Sequence, residues 1–211
     1  IVPLDYDNPY ISPFDEFQQW KHQASIRKYL VGGTRTAYGA RALIKGGHQS
    51  IPKMHFPGGM LVGDDAGTMN FPRIKGTHTA MKSGMIAAES LFEEFYKENP
   101  MTDLNTVTAN FKSSWLETEL HKARNFLPFI HKYGTILGVA LAGIDQLIFR
   151  GKLPFTLHHD QPDHQCLKES SEMPRIDYPK PDGVISFDKL SSVFLSNTNH
   201  EEDQPCHLVL K

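Results

Sequence analysis

Between Met60 and Gly84 the chain reads MLVGDDAGTMNFPRIKGTHTAMKSG, and here its side chains are best arranged for chemistry. A short apolar run ends in Gly63-Asp64. Glycine lets the backbone turn without a side chain in the way. Asp64 then offers a carboxylate to hydroxyl groups, such as those of a ribityl chain. Ala66 and Gly67 are small enough for a ligand to approach the main chain, Pro72 stiffens the loop, and Gly76-Thr77 opens a helix. The first N–H groups of a helix have no intrahelical acceptor, so that end carries partial positive charge and stabilises an anion. A redox ring that takes up electrons builds negative charge, and a helix start aimed at it raises its electron affinity. Asp64-Asp65 as a divalent-metal pair is the weaker rival, because adjacent carboxylates without further oxygen ligands rarely hold calcium or magnesium.

The other candidates carry less. His121, His158, His159 and His164 fit no zinc spacing. The HEED run at 200–203 reads as a solvated turn, and no Ser/His/Asp or Cys/His nucleophile arrangement stands out. Cys166 and Cys206 lie far apart with no CxxC spacing, which gives neither a disulfide framework nor a metal site. No catalytic side chain and no metal ligand is therefore assigned. A net charge of −2 leaves no electrostatic footprint for nucleic acid.

Several elements must position the Met60–Gly84 segment. Ser12 as N-cap, Pro13 at the first helical position and Asp15-Glu16 in the first turn predict a helix through SPFDEFQQWKHQASIRKYL, with Arg27 and Lys28 at its far end. Residues 35–45 alternate and predict a strand or two, punctuated by Gly46-Gly47. Residues 56–62 end in an apolar run that fits a buried strand. A long helix is expected from about Thr77 to Tyr96, with the small face Ala80, Gly84, Ala87, Ala88 and Leu91, ending at Asn99-Pro100. A second helix is expected over 103–124 with Leu104, Val107, Phe111, Trp115 and Leu116 inward, and a third, strongly apolar one over 129–150. Residues 151–184 read as extended loop, and order returns at 184–196. The chain opens abruptly on Ile1 and closes on CHLVLK, like a strand cut in the middle, so a piece of a longer protein is expected.

The third helix has a second signal. Tyr133 to Ile144 carries no charge but is too short to span a bilayer. Leu137, Ala140, Leu141, Ile144 and Ile148 share one face, whereas Gly134, Gly138, Ala142 and Asp145 lie elsewhere around it. Lys132 and Arg150 flank it, as anchors at a headgroup layer do. The pattern fits a helix lying in a membrane interface; a buried core helix fits it as well.

The blocks YGARAL, GGHQSIPK, FPGG, LVGDDAG, NFPRIKGTHTAMKSGMIAAES, DYPKPDGVISFD and TNHEEDQPCHL resemble the electron transfer flavoprotein–ubiquinone oxidoreductase family, from about Asn8 to Lys211. The resemblance implies an α/β (α+β) fold: part of an FAD-binding domain of the glutathione-reductase/hydroxylase type, plus quinone-side helices. It implies that Gly63, Asp64, Ala66, Gly67, Asn70, Gly76 and Thr77 contact the flavin, with Thr77 a donor to the ring. It places Tyr133, Ile136, Leu137, Ala140, Leu141, Ile144 and Ile148 on the membrane and quinone side. By the same resemblance, 1–58 belong to the quinone or substrate side, 59–98 to the C-terminal part of the FAD domain, 99–155 to the helical membrane side, and 156–211 to the lead-in to an iron–sulfur domain. The implied reaction carries electrons from reduced electron transfer flavoprotein, through a 4Fe–4S cluster and FAD, to ubiquinone. It takes place at a monotopic membrane surface, the mitochondrial inner membrane or the bacterial cytoplasmic one.

A cluster needs grouped cysteines and the ADP half of FAD needs a GxGxxG turn; this sequence has neither, so it is expected to hold half a flavin site, with the cluster ligands outside it and Cys206 a bystander. Two positions depart from the family pattern: Ile44 stands where many members have Asn, and Asp64 where many have a small residue or cysteine. The rivals are another FAD enzyme, a monooxygenase or prenyl reductase, which would lack DYPKPDGVISFD, and a non-enzymatic membrane-docking module.

Overall fold

The computed structural model describes residues 2–45, 47–96 and 105–205. In chain order its elements are α1 (Pro13–Trp20), α2 (Ala24–Leu30), β1 (His55–Phe56), β2 (Gly59–Met60), α3 (Thr77–Phe95), α4 (Asn105–Ser113), α5 (Trp115–Ala123), α6 (Phe126–Leu147) and α7 (Lys189–Leu195), with short 3-10 turns between them. This is a mixed, largely helical fold with one small antiparallel sheet. The chain divides into two compact units, Ile1–Arg41 with Gln161–Lys211, and Ala42–Asp160.

The first unit joins the two ends of the chain through polar contacts. Ser12 caps α1, its hydroxyl accepting from the Asp15 N–H at 3.3 Å. The expected single helix is broken at 21–23, where tertiary contacts override propensity: His22 Nε2 meets Ser186 Oγ at 3.0 Å and the Lys21 ammonium lies over the Phe187 ring. The Tyr178 hydroxyl accepts from the Ser12 N–H (3.1 Å) and donates to Glu16 (2.7 Å). Phe187 N–H donates to the Gln18 side chain (3.0 Å), and Arg35 covers the Phe187 ring while donating to the Ser191 and Ser192 hydroxyls. The block DYPKPDGVISFD is thus the clasp that holds the N-terminal helices. Its turn is tied by Asp182, whose Oδ1 accepts three successive N–H groups (Val184, Ile185, Ser186) and whose pKa they hold far below the usual carboxylate range. Residues 35–45 form no strand: alternation needs a partner ladder, and here Tyr38 N–H bonds instead to the Leu195 carbonyl.

The second unit packs Met54, Ala66, Ile86, Phe111, Leu116 and Leu120 into one core, with Ile51 and Leu61 against it. The run over 56–62 is a two-residue-per-strand hairpin rather than a buried strand, because Pro57-Gly58, with Gly58 at φ 85°, turns the chain back at once. α3 buries Thr79, Ser83, Ile86, Ser90 and Glu94, not the face of Ala80, Gly84, Ala87, Ala88 and Leu91, which stays half-buried or exposed. The hydroxyls on the buried side are satisfied locally, Ser83 by the Ala80 carbonyl and Ser90 by that of Ile86, so they enter the interface with α4 without an unpaired donor. The expected second helix is two, α4 and α5, broken where the Ser113 and Ser114 hydroxyls bond back to the Asn110 and Phe111 carbonyls. Val107, Phe111 and Leu116 point inward as expected; Trp115 is 48% exposed, its ring stacked instead on His78. The expected helix stop at Asn99-Pro100, Leu104, Gly46 and Cys206 lie outside the described residues.

α6 is bent back on itself. Gly134 has φ 76° and ψ 176°, which ends one helical arm and starts another. Gly138 then lies so close to the first arm that a Cβ there would sit 2.5 Å from Ile130 Cα and from the Phe129 carbonyl oxygen. The two arms touch backbone to backbone at a residue that has no side chain to interfere.

Candidate cofactor site and apolar arm

The Gly63–Ala66 segment forms a 3-10 turn pressed against α3. Gly63 N–H donates to Ser83 Oγ at 2.7 Å, and the Gly63 carbonyl accepts from the Thr68 hydroxyl (3.0 Å) and N–H (3.2 Å). Gly67 closes the turn in the left-handed region, with Ile44 against it. This brings Asp64 to the foot of α3: a Cβ on Gly76 would lie 3.1 Å from Asp64 Oδ1. No side chain caps α3, so its first N–H groups stand free of the helix beside that carboxylate. Gly63, Asp64, Ala66, Gly67, Gly76 and Thr77 are therefore brought together. Gly63, Ala66 and Gly67 are buried, Asp64 and Gly76 half-buried, and Thr77 exposed.

Two buried oxygens of this region, Asp64 Oδ1 and Asn70 Oδ1, have no hydrogen-bond partner among the described residues. A buried acceptor without a donor costs about 1–3 kcal/mol, so each is a place where a bound hydroxyl or N–H is gained at little loss. Together with the uncapped helix start and the small residues around Asp64, this donor and acceptor set fits the ribityl and ring edge of a flavin.

Asn70 plays a part that the sequence did not reveal. Its main chain pairs with Lys75 in both directions, closing the 71–74 loop, and its Nδ2 donates to Glu119 Oε1 at 2.6 Å. His78 Nε2 meets the same oxygen at 2.9 Å while its ring stacks on Trp115. Burial pushes the Glu119 carboxyl up, but the bonds from Asn70 and His78 and the charge of Arg73 outweigh it and hold the pKa below the ordinary value. Glu119 thus ties the loop and the first turn of α3 to α5. No local signal marks it; it lies 49 residues from Asn70 along the chain.

The second cluster is α6. Tyr133, Ile136, Leu137, Ala140 and Ile144, with Ile148 beyond its end, are exposed, Ile136 at 91%, and Leu141 is half-buried. Gly138, Ala142 and Asp145 form the buried side. The helical stretch Trp115–Leu147 is long and apolar enough to cross a membrane by length and composition. The reversal at Gly134 removes that reading, since the longer arm, 135–147, rises only about 20 Å at 1.5 Å per residue, against a hydrocarbon core of about 30 Å.

The described residues do not fit an iron–sulfur cluster. No group of three or more His, Cys, Asp or Glu is placed among them to hold a metal ion, and Cys166 is a free thiol beside the Pro162 carbonyl.

Residues 1–43 match the family description "ETF-QO, ubiquinone-binding", and residues 183–211 match "Electron transfer flavoprotein-ubiquinone oxidoreductase, 4Fe-4S". The whole chain aligns at 60% identity over 211 residues with electron transfer flavoprotein-ubiquinone oxidoreductase of Pseudomonas aeruginosa, covering 38% of that protein. It aligns at 54% identity over 217 residues with the mitochondrial proteins of that name from Bos taurus and Homo sapiens, covering 35% of each. The chain thus spans little more than a third of the length of these relatives, and within that span it belongs to the electron transfer flavoprotein–ubiquinone oxidoreductase family.

Proposed function

We propose that this chain supplies one side of the flavin site and the membrane-facing helices of an enzyme that passes electrons from reduced electron transfer flavoprotein to ubiquinone. The observation that carries the reading is Asp64, its Oδ1 buried and unpartnered at the foot of the uncapped α3. Asp64 would accept from the ribityl hydroxyls, the first N–H groups of α3 and Thr77 would stabilise negative charge at the ring, and Gly63, Ala66, Gly67 and Gly76 would keep side chains out of the way. When bound, FAD supplies the electron-accepting and electron-donating chemistry. The chain's own part is to hold the ring edge, bias its charge, and keep the Gly63–Gly67 turn fixed through Ser83 and Thr68. The division of roles proposed is quinone side for 1–58, FAD domain for 59–98, membrane-side helices for 99–155 and lead-in to the cluster domain for 156–211.

The exposed arm of α6 supports monotopic docking at a membrane, the mitochondrial inner membrane or the bacterial cytoplasmic one, where a lipid-soluble quinone is reached without leaving the apolar layer. The 4Fe–4S cluster named by the family match to 183–211 would take ligands from outside this chain, which holds two cysteines in all.

The test uses the full-length protein. Asp64→Ala is expected to lower flavin affinity about ten-fold or more, the value of a hydrogen bond to a charged group, with far-ultraviolet circular dichroism unchanged. Asp64→Asn is expected to fall between. Flavin retained at the parental level in Asp64→Ala would remove Asp64 from the site.

A further inference from the structure

Beside the junction of α5 and α6 lies a cavity of about 500 Å³ whose lining includes Arg73, Lys122, Arg150, Glu119, Phe126 and Leu147. Three cations meet there from three separate segments: the loop before α3, the end of α5, and the turn after α6. All three are exposed, and none stands in an ion pair among the described residues. The one carboxylate, Glu119, is already engaged at Oε1 by Asn70 and His78. The wall therefore carries an excess of positive charge within a chain whose net charge is −2.

Arg150 is not held there loosely. Its φ is 55°, a left-handed conformation that a non-glycine residue keeps only where its surroundings determine it. The surroundings are three main-chain bonds around it, Phe149 N–H to the Ile144 carbonyl, Gly151 N–H to that of Asp145, and Lys152 N–H to that of Phe149. The α5–α6 junction beneath is closed by Gln146 Nε2 donating to the Lys122 carbonyl at 2.9 Å. The same turn presents apolar surface. Leu147, which lines the cavity, is 83% exposed and leads into exposed Ile148 and Phe149.

We infer that this cavity binds the headgroup phosphate of an anionic phospholipid, with Arg73, Lys122 and Arg150 as its cations and the Leu147–Phe149 edge against the acyl chains. The inference rests on the membrane-docking reading above and adds a lipid class to it. A phosphate needs convergent cations, a headgroup needs more room than a bare ion, and an acyl chain needs an adjoining apolar edge; the turn at 147–150 supplies the first and the last together.

The experiment is vesicle co-sedimentation of the full-length protein, on phosphatidylcholine alone and on phosphatidylcholine with phosphatidylglycerol, with soluble glycerol phosphate as competitor. The parent is expected to bind both vesicles and to prefer the anionic ones. Arg73→Gln, Lys122→Gln and Arg150→Gln are each expected to lose about five-fold of that preference, the scale of one surface cation near an anionic membrane, and to keep binding to neutral vesicles. Anionic preference left intact in the triple variant overturns the site. Displacement by soluble glycerol phosphate at a concentration below that of the accessible vesicle phosphate overturns the lipid as its source. Parental protein that binds neither vesicle overturns the docking reading itself, a result distinct from the other two.

Discussion

Arg124 is 4% exposed, and its guanidinium is spread over main-chain carbonyls. Nη1 donates to the carbonyls of His121 and Gly151 at 2.8 Å each, Nη2 to those of Leu153 and Phe155, and Nε to the Thr156 hydroxyl at 2.9 Å. Neighbouring Asn125 completes the clamp, donating to the Phe155 carbonyl and accepting from the Leu157 N–H. One side chain thus straps residues 151–156 over the junction of α5 and α6. In Arg124→Met the Gly151 carbonyl is left buried without a donor, at about 1–3 kcal/mol, and the other carbonyls, which water partly reaches, lose about 0.5–1 kcal/mol each. Relief of the buried cation's own desolvation offsets part of this. The net expected loss is about 3 kcal/mol. With a urea slope of about 2–3 kcal/mol/M for a unit of this size, the midpoint falls by about 1 M at unchanged slope. The assay is urea unfolding of this 211-residue chain followed by Trp115 fluorescence in a Trp20→Phe background, so that its one remaining indole reports the unit containing Arg124. Arg124→Lys is expected to recover a minor share, since an ammonium offers its donors from one point and cannot reach carbonyls on two sides. A midpoint in Arg124→Met within about 0.3 M of the parent, under 1 kcal/mol on the same slope, would refute the clamp.

Two more perturbations test the helical arms. Gly138→Ala places a methyl 2.5 Å from backbone atoms of Ile130 and Phe129, which cannot rotate away; the arms of α6 must part, at about 1–3 kcal/mol, and a melting temperature equal to the parent's would show that the arms do not meet as described. Asp145 is 1% exposed, with Oδ1 unpartnered; burial raises its pKa, against the opposing effects of the Gln146 bond and the Arg124 charge. A carboxyl whose folded pKa lies above its unfolded value binds more protons when folded, so its contribution to stability falls as pH rises through the folded pKa. Asp145→Asn is therefore expected to be more stable than the parent at neutral pH. The gap should close on acidification from the raised pKa down to about 4, the unfolded value. Urea midpoints across that window decide it, and a variant less stable at pH 7 than the parent would contradict the assignment.

What could be read from the residues was what they decide locally. Ser12-Pro13 with two acids is a capping signal that needs no partner, and α1 begins there with its cap bond made. Gly63-Asp64 and Gly76-Thr77 are a turn and a helix start, and both form where written. What failed needed information from elsewhere in the chain. Alternation over 35–45 makes a strand only beside another strand, and the Tyr38 N–H found the end of α7 instead. Trp115 reads as core by composition, yet His78 across the fold gives its ring a partner at the surface. On α3 the small and apolar residues Ala80, Gly84, Ala87, Ala88 and Leu91 share one side, but the buried side is that of Thr79, Ser83, Ile86, Ser90 and Glu94. The hydroxyl face won because serine and threonine satisfy themselves on the preceding turn and still pack closely.

α6 shows how a correct pattern and a wrong shape coexist. Its exposed face follows from periodicity, which survives bending because each arm keeps its own register. The bend at Gly134 follows from a residue that permits many conformations and announces none. The bend bears on the proposed docking as well as on the geometry. Under the proposed docking, a straight helix of this composition would cross the bilayer, whereas two short arms meeting at Gly138 would lie in one leaflet, with the exposed Leu147–Phe149 edge inward and Arg150 at the level of the phosphates. The Gly138→Ala variant therefore bears on docking too. If the bend sets the depth of insertion, opening it lowers affinity for neutral vesicles while sparing the Asp64 site, and flavin content with vesicle binding, measured on one preparation, would separate the two.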